Sequence, residues 1–102
     1  MLRIERRPIL KNLFENHLIA QGYSVTTPSG NPSTVYDYVK RIEKVCRLEN
    51  MTWTDLADEI GIIVSQYDVG GSKEELGRKS HGAVINALKR FKEFVKEQQC
   101  PL

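Results

Sequence analysis

Apolar residues recur along this chain every three or four positions, the period of a helix with one face turned to a core. Ile9, Leu10, Leu13, Phe14 and Leu18 keep that spacing and predict a first helix over 8–21. Pro8 suits its first turn, where a missing N–H leaves no bond unmade, and Gly22 supplies the stop. Between Gly22 and Pro32, Ser24, Thr26, Thr27, Pro28, Ser29, Gly30 and Asn31 form a polar loop rich in helix breakers. A second helix is predicted from about Ser33, capped by Asn31 or Ser33, with Val35, Tyr38, Val39, Ile42, Val45 and Cys46 as its buried stripe. The opposite side of that helix carries Lys40, Arg41, Lys44 and Arg47.

Thr52 or Thr54 can cap a third helix whose apolar set is Leu56, Ile60, Ile63, Val64 and Tyr67. Gly61 weakens it by about 1 kcal/mol relative to alanine and marks a place where it can break. After the turn Val69-Gly70-Gly71-Ser72, Ser72 and Glu75 read as a capping box for a brief helical turn through Leu76. Ser80 is expected to cap the last helix, in which Val84, Ala87, Leu88, Phe91, Phe94 and Val95 hold the period to about Lys96. No segment alternates apolar and polar residues as a half-buried strand does. The expectation is one all-α, four-helix domain over 1–102, its core about 8–97 and its two ends flexible.

Composition agrees. The 102 residues suffice for one core, and 40% apolar with 27% charged residues is a globular balance. No apolar run approaches the roughly 18 to 20 residues of a membrane span, so no membrane partner is expected. Cys46 and Cys100 are too few for a disulfide framework and the start of the chain does not resemble a signal peptide, which points to a reduced, cytoplasmic setting.

The net charge of +2 conceals a segregation. The stretches 1–11 and 78–97 carry +3 and +4, while the third helix, with Asp55, Asp58, Glu59 and Asp68, carries −4. Basic helices beside an acidic one can present a positive surface to an anionic polymer, although charges on outer helix faces also serve solubility alone.

Enzymatic chemistry finds little support. His17, Cys46, His81 and Cys100 are scattered, with no pair at metal-ligand spacing, so neither a metal nor another cofactor is expected. Cys46 falls in an apolar stripe and reads as a small buried hydrophobe. Ser80 and His81 are neighbours that diverge by about 100° around a helix, which is not nucleophile–base geometry. Gly70-Gly71 lacks the Gly-Lys-Ser/Thr continuation of a phosphate-binding loop.

Nucleic-acid binding survives this elimination. Ser33, Thr34, Tyr36, Lys40, Arg41 and Lys44 line the polar side of the second helix. Lys79, Ser80 and His81 stand where the last helix should begin, and free N–H groups at a helix start favour a phosphate. Asn86, Lys89 and Arg90 follow on the outer side, and Asn and Arg are residue types that read adenine and guanine in a major groove. Each residue also has a plainer role: Ser80 as a cap, His81 as a surface histidine, and Tyr36 or Tyr38 as packing. Trp53 reads as a seal on the edge of the core.

The order of these features resembles the amino-terminal core-binding domain of tyrosine recombinases, the SAM-like domain of phage integrases. The resemblance runs from Leu13 to Val95. It is carried by Leu13-Phe14-Glu15-Asn16-His17-Leu18, by Ser33-Thr34-Val35-Tyr36-Asp37-Tyr38, and most closely by Ser80-His81-Gly82-Ala83-Val84-Ile85-Asn86-Ala87-Leu88-Lys89-Arg90-Phe91 with Phe94-Val95. It implies a SAM-like four-helix bundle that forms half of a clamp around double-stranded DNA. The site residues it implies are Ser33, Thr34, Lys40, Lys79, Ser80, His81, Asn86 and Arg90, to which charge adds Lys44 and Lys89.

The family's catalytic H-x-x-R motif and carboxy-terminal tyrosine have no counterpart: neither His17 nor His81 starts that motif, and the last tyrosine is Tyr67. The implication is a non-catalytic DNA-binding module, either excised from a longer recombinase or a small stand-alone relative. Its partners would include a catalytic recombinase domain or other recombinase subunits. Two alternatives stay open. One is a helical protein-interaction module of a phage or mobile element, meeting a partner through its acidic third helix. The other is a helix-turn-helix reader suggested by Leu56-Ala57-Asp58-Glu59-Ile60-Gly61, which lacks a basic recognition helix after it.

Overall fold

The computed structural model describes residues 6–23 and 34–99, with backbone alone at 6–9, 80, 81 and 99. Six helices follow one another: α1 (Arg6–Ala20), α2 (Thr34–Glu49), α3 (Trp53–Asp58), α4 (Ile60–Tyr67), α5 (Glu74–Gly77) and α6 (Lys79–Gln99). No strand occurs among the described residues, and the all-α expectation holds. The four expected helices become six because the third divides and the brief turn near Leu76 is a short helix of its own.

The stops of α1 and α2 are built alike. Gly22 and Asn50 take the left-handed conformation, φ 102° and 57°, that glycine adopts freely and asparagine tolerates. Beyond each, the next N–H reaches five residues back, Tyr23 to the Leu18 carbonyl at 3.1 Å and Met51 to the Cys46 carbonyl at 2.8 Å. Tyr23 and Met51 then pack on the core, completing a Schellman stop with its apolar contact.

Thr52 caps α3, as one of the two expected threonines. Its hydroxyl accepts from the Asp55 N–H at 3.1 Å, while its own N–H donates to the Asp55 carboxylate at 3.2 Å. The break between α3 and α4 falls at Glu59, φ −105° and ψ 12°, two residues ahead of Gly61. Two capping expectations are corrected. Ser72 does not form a box with Glu75: α5 starts after Lys73 without a side-chain cap, and Glu74 instead accepts from the Gly70 N–H at 3.3 Å. Ser80 is not the cap of the last helix but its second residue. Arg78, which ends α5, is itself α-helical, so the chain passes into α6 without the extended residue a cap requires.

Helix α6 packs against all five others. Its Val84, Ala87, Leu88, Phe91, Phe94 and Val95 are buried, as are Val35, Val39, Ile42, Val45 and Cys46 of α2 and Leu56, Ile60, Ile63, Val64 and Tyr67 of α3 and α4. On α1 the stripe is narrower than its pattern suggests, with Phe14 and Leu18 buried and Leu13 exposed. The aromatic centre is Phe14 edge-on to Phe91 at 5.1 Å, with Trp53 edge-on to Phe91 at 5.5 Å from the half-buried rim, the sealing position expected of it. Gly77 lies so close to the Tyr67 carbonyl that a Cβ would collide with it, which is how α5 comes flush against the end of α4.

A polar tie joins the ends of α2 and α4. The Glu49 carboxylate accepts from the Tyr67 hydroxyl at 2.7 Å and from Lys73 Nζ at 2.6 Å. Burial alone would raise the Glu49 pKa, but the two donated bonds and the Lys73 charge outweigh it and hold the carboxyl below its ordinary 4.5. A carboxyl depressed on folding stabilises above its unfolded pKa, and that contribution is lost as pH falls through the lower folded value. Glu49→Gln is therefore expected to cost about 1–2 kcal/mol in urea melts at neutral pH. The gap to the native chain should close in melts taken below the folded pKa of Glu49, and a gap constant with pH would refute the assignment.

Candidate nucleic-acid interface

The buried stripe of α2 fixes where its charges go. With Val35, Val39, Ile42, Val45 and Cys46 turned inward, Lys40, Lys44 and Arg47 stand exposed on the opposite side, one turn apart. At 1.5 Å per residue the row spans about 10 Å of helix. Tyr36 begins it, exposed, with Lys40 Nζ 5.2 Å from the ring centroid. Arg41 does not belong to the row: it is half-buried, and its Nε is shielded from solvent without a hydrogen-bond partner among the described residues.

Several other described cations are committed to carboxylates, whereas Lys79, Lys92 and Lys96 of α6 are exposed without such a partner among the described residues. Lys11 pairs with Glu43 at 3.1 Å, Lys73 with Glu49 at 2.6 Å and Arg78 with Glu74 at 3.5 Å. On α6, Lys89 lies 3.5 Å from Asp68 at the end of α4, and Arg90 lies 3.5 Å from Glu93. Among the described residues no such pair involves Lys40, Lys44 or Arg47.

The candidate residues thus fall into two groups. Thr34 opens α2, half-buried, and Lys40 and Lys44 form the outer row, which Arg47 extends. Ser33 lies outside the described residues. Lys79 is exposed at the first position of α6 and Asn86 is exposed on its outer side. Ser80 and His81 are helical, and their side chains lie outside the described set. The Gly82 N–H donates to the Arg78 carbonyl at 2.9 Å, the ordinary first bond of the helix. The two groups adjoin rather than merge. Arg90 and Glu93 act on the half-buried Tyr38 of α2, whereas Lys89 reaches to the opposite neighbour, α4. Arg47 is the residue that sequence reasoning left off the list, and its signal was the spacing 40, 44, 47.

Two other features bear on chemistry. Cys46 is buried, and burial first, then the Glu43 and Asp55 charges, push its thiol up to about 11 against the opposing Arg47, leaving a weak nucleophile. His17 is half-buried and lines a cleft between α1 and α6, its ring 5.5 Å from that of Phe94 and Nδ1 3.4 Å from Glu97. Among the described residues no three His, Cys, Asp or Glu side chains converge on a metal position, and no helix is long and apolar enough to cross a membrane.

No protein-family model, curated protein or solved structure matches this chain.

Proposed function

We propose that this chain is a double-stranded DNA-binding module that holds the duplex by its phosphates and performs no cleavage itself, as its resemblance to the core-binding domain of tyrosine recombinases implies. The observation that carries the reading is the exposed row Lys40, Lys44 and Arg47, which has no carboxylate partner among the described residues. Three cations at successive turns of one straight helix match a run of phosphates along one strand better than a cluster of base edges. Base reading falls to Asn86, which is exposed on α6. Lys89 and Arg90 beside it would have to leave Asp68 and Glu93 to meet a base. The function would be to position a duplex for a catalytic recombinase domain or other recombinase subunits.

Fluorescence anisotropy of a short duplex, titrated at several salt concentrations, tests this reading. Three neutralised phosphates release counterions so that log K falls against log salt with a slope of about −2.7. Absence of affinity at low salt, or affinity indifferent to salt, would defeat the proposal.

A further inference from the structure

A second charged face stands beside the cationic row. The outer side of α3 and α4 exposes Asp55, Asp58, Glu59 and Ile62, and neither helix contains a lysine or arginine. Ile62 is 57% exposed and adds an apolar group to this acidic face. The cationic face has its own uncovered apolar groups, Tyr36 and Leu48. The two faces therefore share a composition and differ in sign.

They also meet. Arg47, the last cation of the row, and Asp55, the first carboxylate of the acidic face, line one shallow groove at the α2–α3 corner with Cys46 and Met51. The two charges act in opposition on the Cys46 thiol, which places both near it. Spacing corresponds as well: Lys40 to Lys44 and Asp55 to Glu59 are each one helical turn.

Adjoining patches of opposite sign make a surface complementary to its own copy after a half-turn. We propose that two copies of this chain pair about a two-fold axis beside the Arg47–Asp55 groove, the α2 row of each lying on the α3–α4 face of the other, with Ile62 covered against Tyr36 or Leu48. A head-to-tail contact would satisfy one face per contact and leave a charged face open at each end, whereas the two-fold arrangement closes both at once. The contacts are ion pairs near solvent around a small apolar centre, so the dimer is weak and loosens with salt. It also occupies the row assigned to DNA, so duplex and second copy compete for it.

Sedimentation velocity over a concentration series at low salt is the test. The mass should rise from 11.7 kDa toward twice that value and no further. Asp58→Lys with Glu59→Lys should weaken self-association about tenfold or more through like-charge contact, and so should Lys40→Glu with Lys44→Glu. Mixing the two variants should restore a heterodimer, because each then offers two faces of one sign to a partner with two of the other. A native chain that stays monomeric, growth beyond the dimer, or a mixture that does not associate would each overturn the proposal. The Asp58/Glu59 variant keeps the α2 row, so its duplex binding reports on the DNA reading separately. Loss of binding there with dimerisation intact in the native chain would count against the DNA reading alone.

Discussion

Replacing Lys40, Lys44 and Arg47 together by alanine is expected to weaken duplex binding about 10³-fold at about 50 mM salt. The size follows from counterion release. Three phosphate contacts give a slope of about −2.7, and over the twentyfold range from about 1 M to 50 mM that slope amounts to roughly three thousandfold. The variant should fold normally, because all three side chains are exposed and none holds an ion pair among the described residues. Its residual affinity should fall less steeply with salt than that of the native chain, a change of slope that misfolding would not reproduce. Lys89→Ala with Arg90→Ala is the informative contrast. Those cations reach the duplex only by leaving Asp68 and Glu93, and their removal also frees two carboxylates near the interface. Their loss is expected to cost about tenfold or less, in keeping with the small net worth of partly screened pairs. A triple variant that binds as tightly as the native chain would remove α2 from the interface.

What the sequence disclosed and what it withheld divide along the range of the interactions. The stripes of α2 and α6 were legible because burial enforces them on a helical period, and every apolar position expected on α6 is buried. Gly22 and Thr52 act as read because their roles are local, a left-handed stop and a hydroxyl acceptor three residues from its donor. Ser72 and Ser80 failed for a reason equally physical. A cap needs an extended residue before the helix, and the tight passage through α5 into α6 leaves no room for one. The pairing of charges was not legible at all. Lys73 and Glu49 are 24 residues apart, and Lys89 and Asp68 belong to different helices, so which cations are consumed internally is decided by packing. That is why charge counting, which did place Lys40 and Lys44 among the candidates, could not tell them from Lys89 and Arg90 in the basic stretch 78–97. Segment totals count Lys89 and Arg90 as available, whereas the folded chain has placed a carboxylate beside each.

The same packing makes Phe91 the position where the fold is most vulnerable. Its side chain is fully buried in the middle of the helix that touches every other one. Its ring meets Phe14 of α1 at 5.1 Å, Trp53 of α3 at 5.5 Å and Phe94 of its own helix at 5.8 Å. Truncation to alanine removes the apolar area of the ring, abandons three aromatic contacts and leaves a cavity that rigid helices collapse into only in part. Phe91→Ala is expected to lose about 3–5 kcal/mol in urea melts, where a domain of this size holds about 5–15 kcal/mol in total. In heat the melting point should fall by about 15–30 °C, and Trp53 fluorescence follows the loss directly because the indole lies against the missing ring. Phe91→Leu refills most of the space and should cost about 1–2 kcal/mol, with Trp53 still shielded. Were alanine tolerated at a cost below about 1 kcal/mol, α6 could not be the helix that the other five pack around.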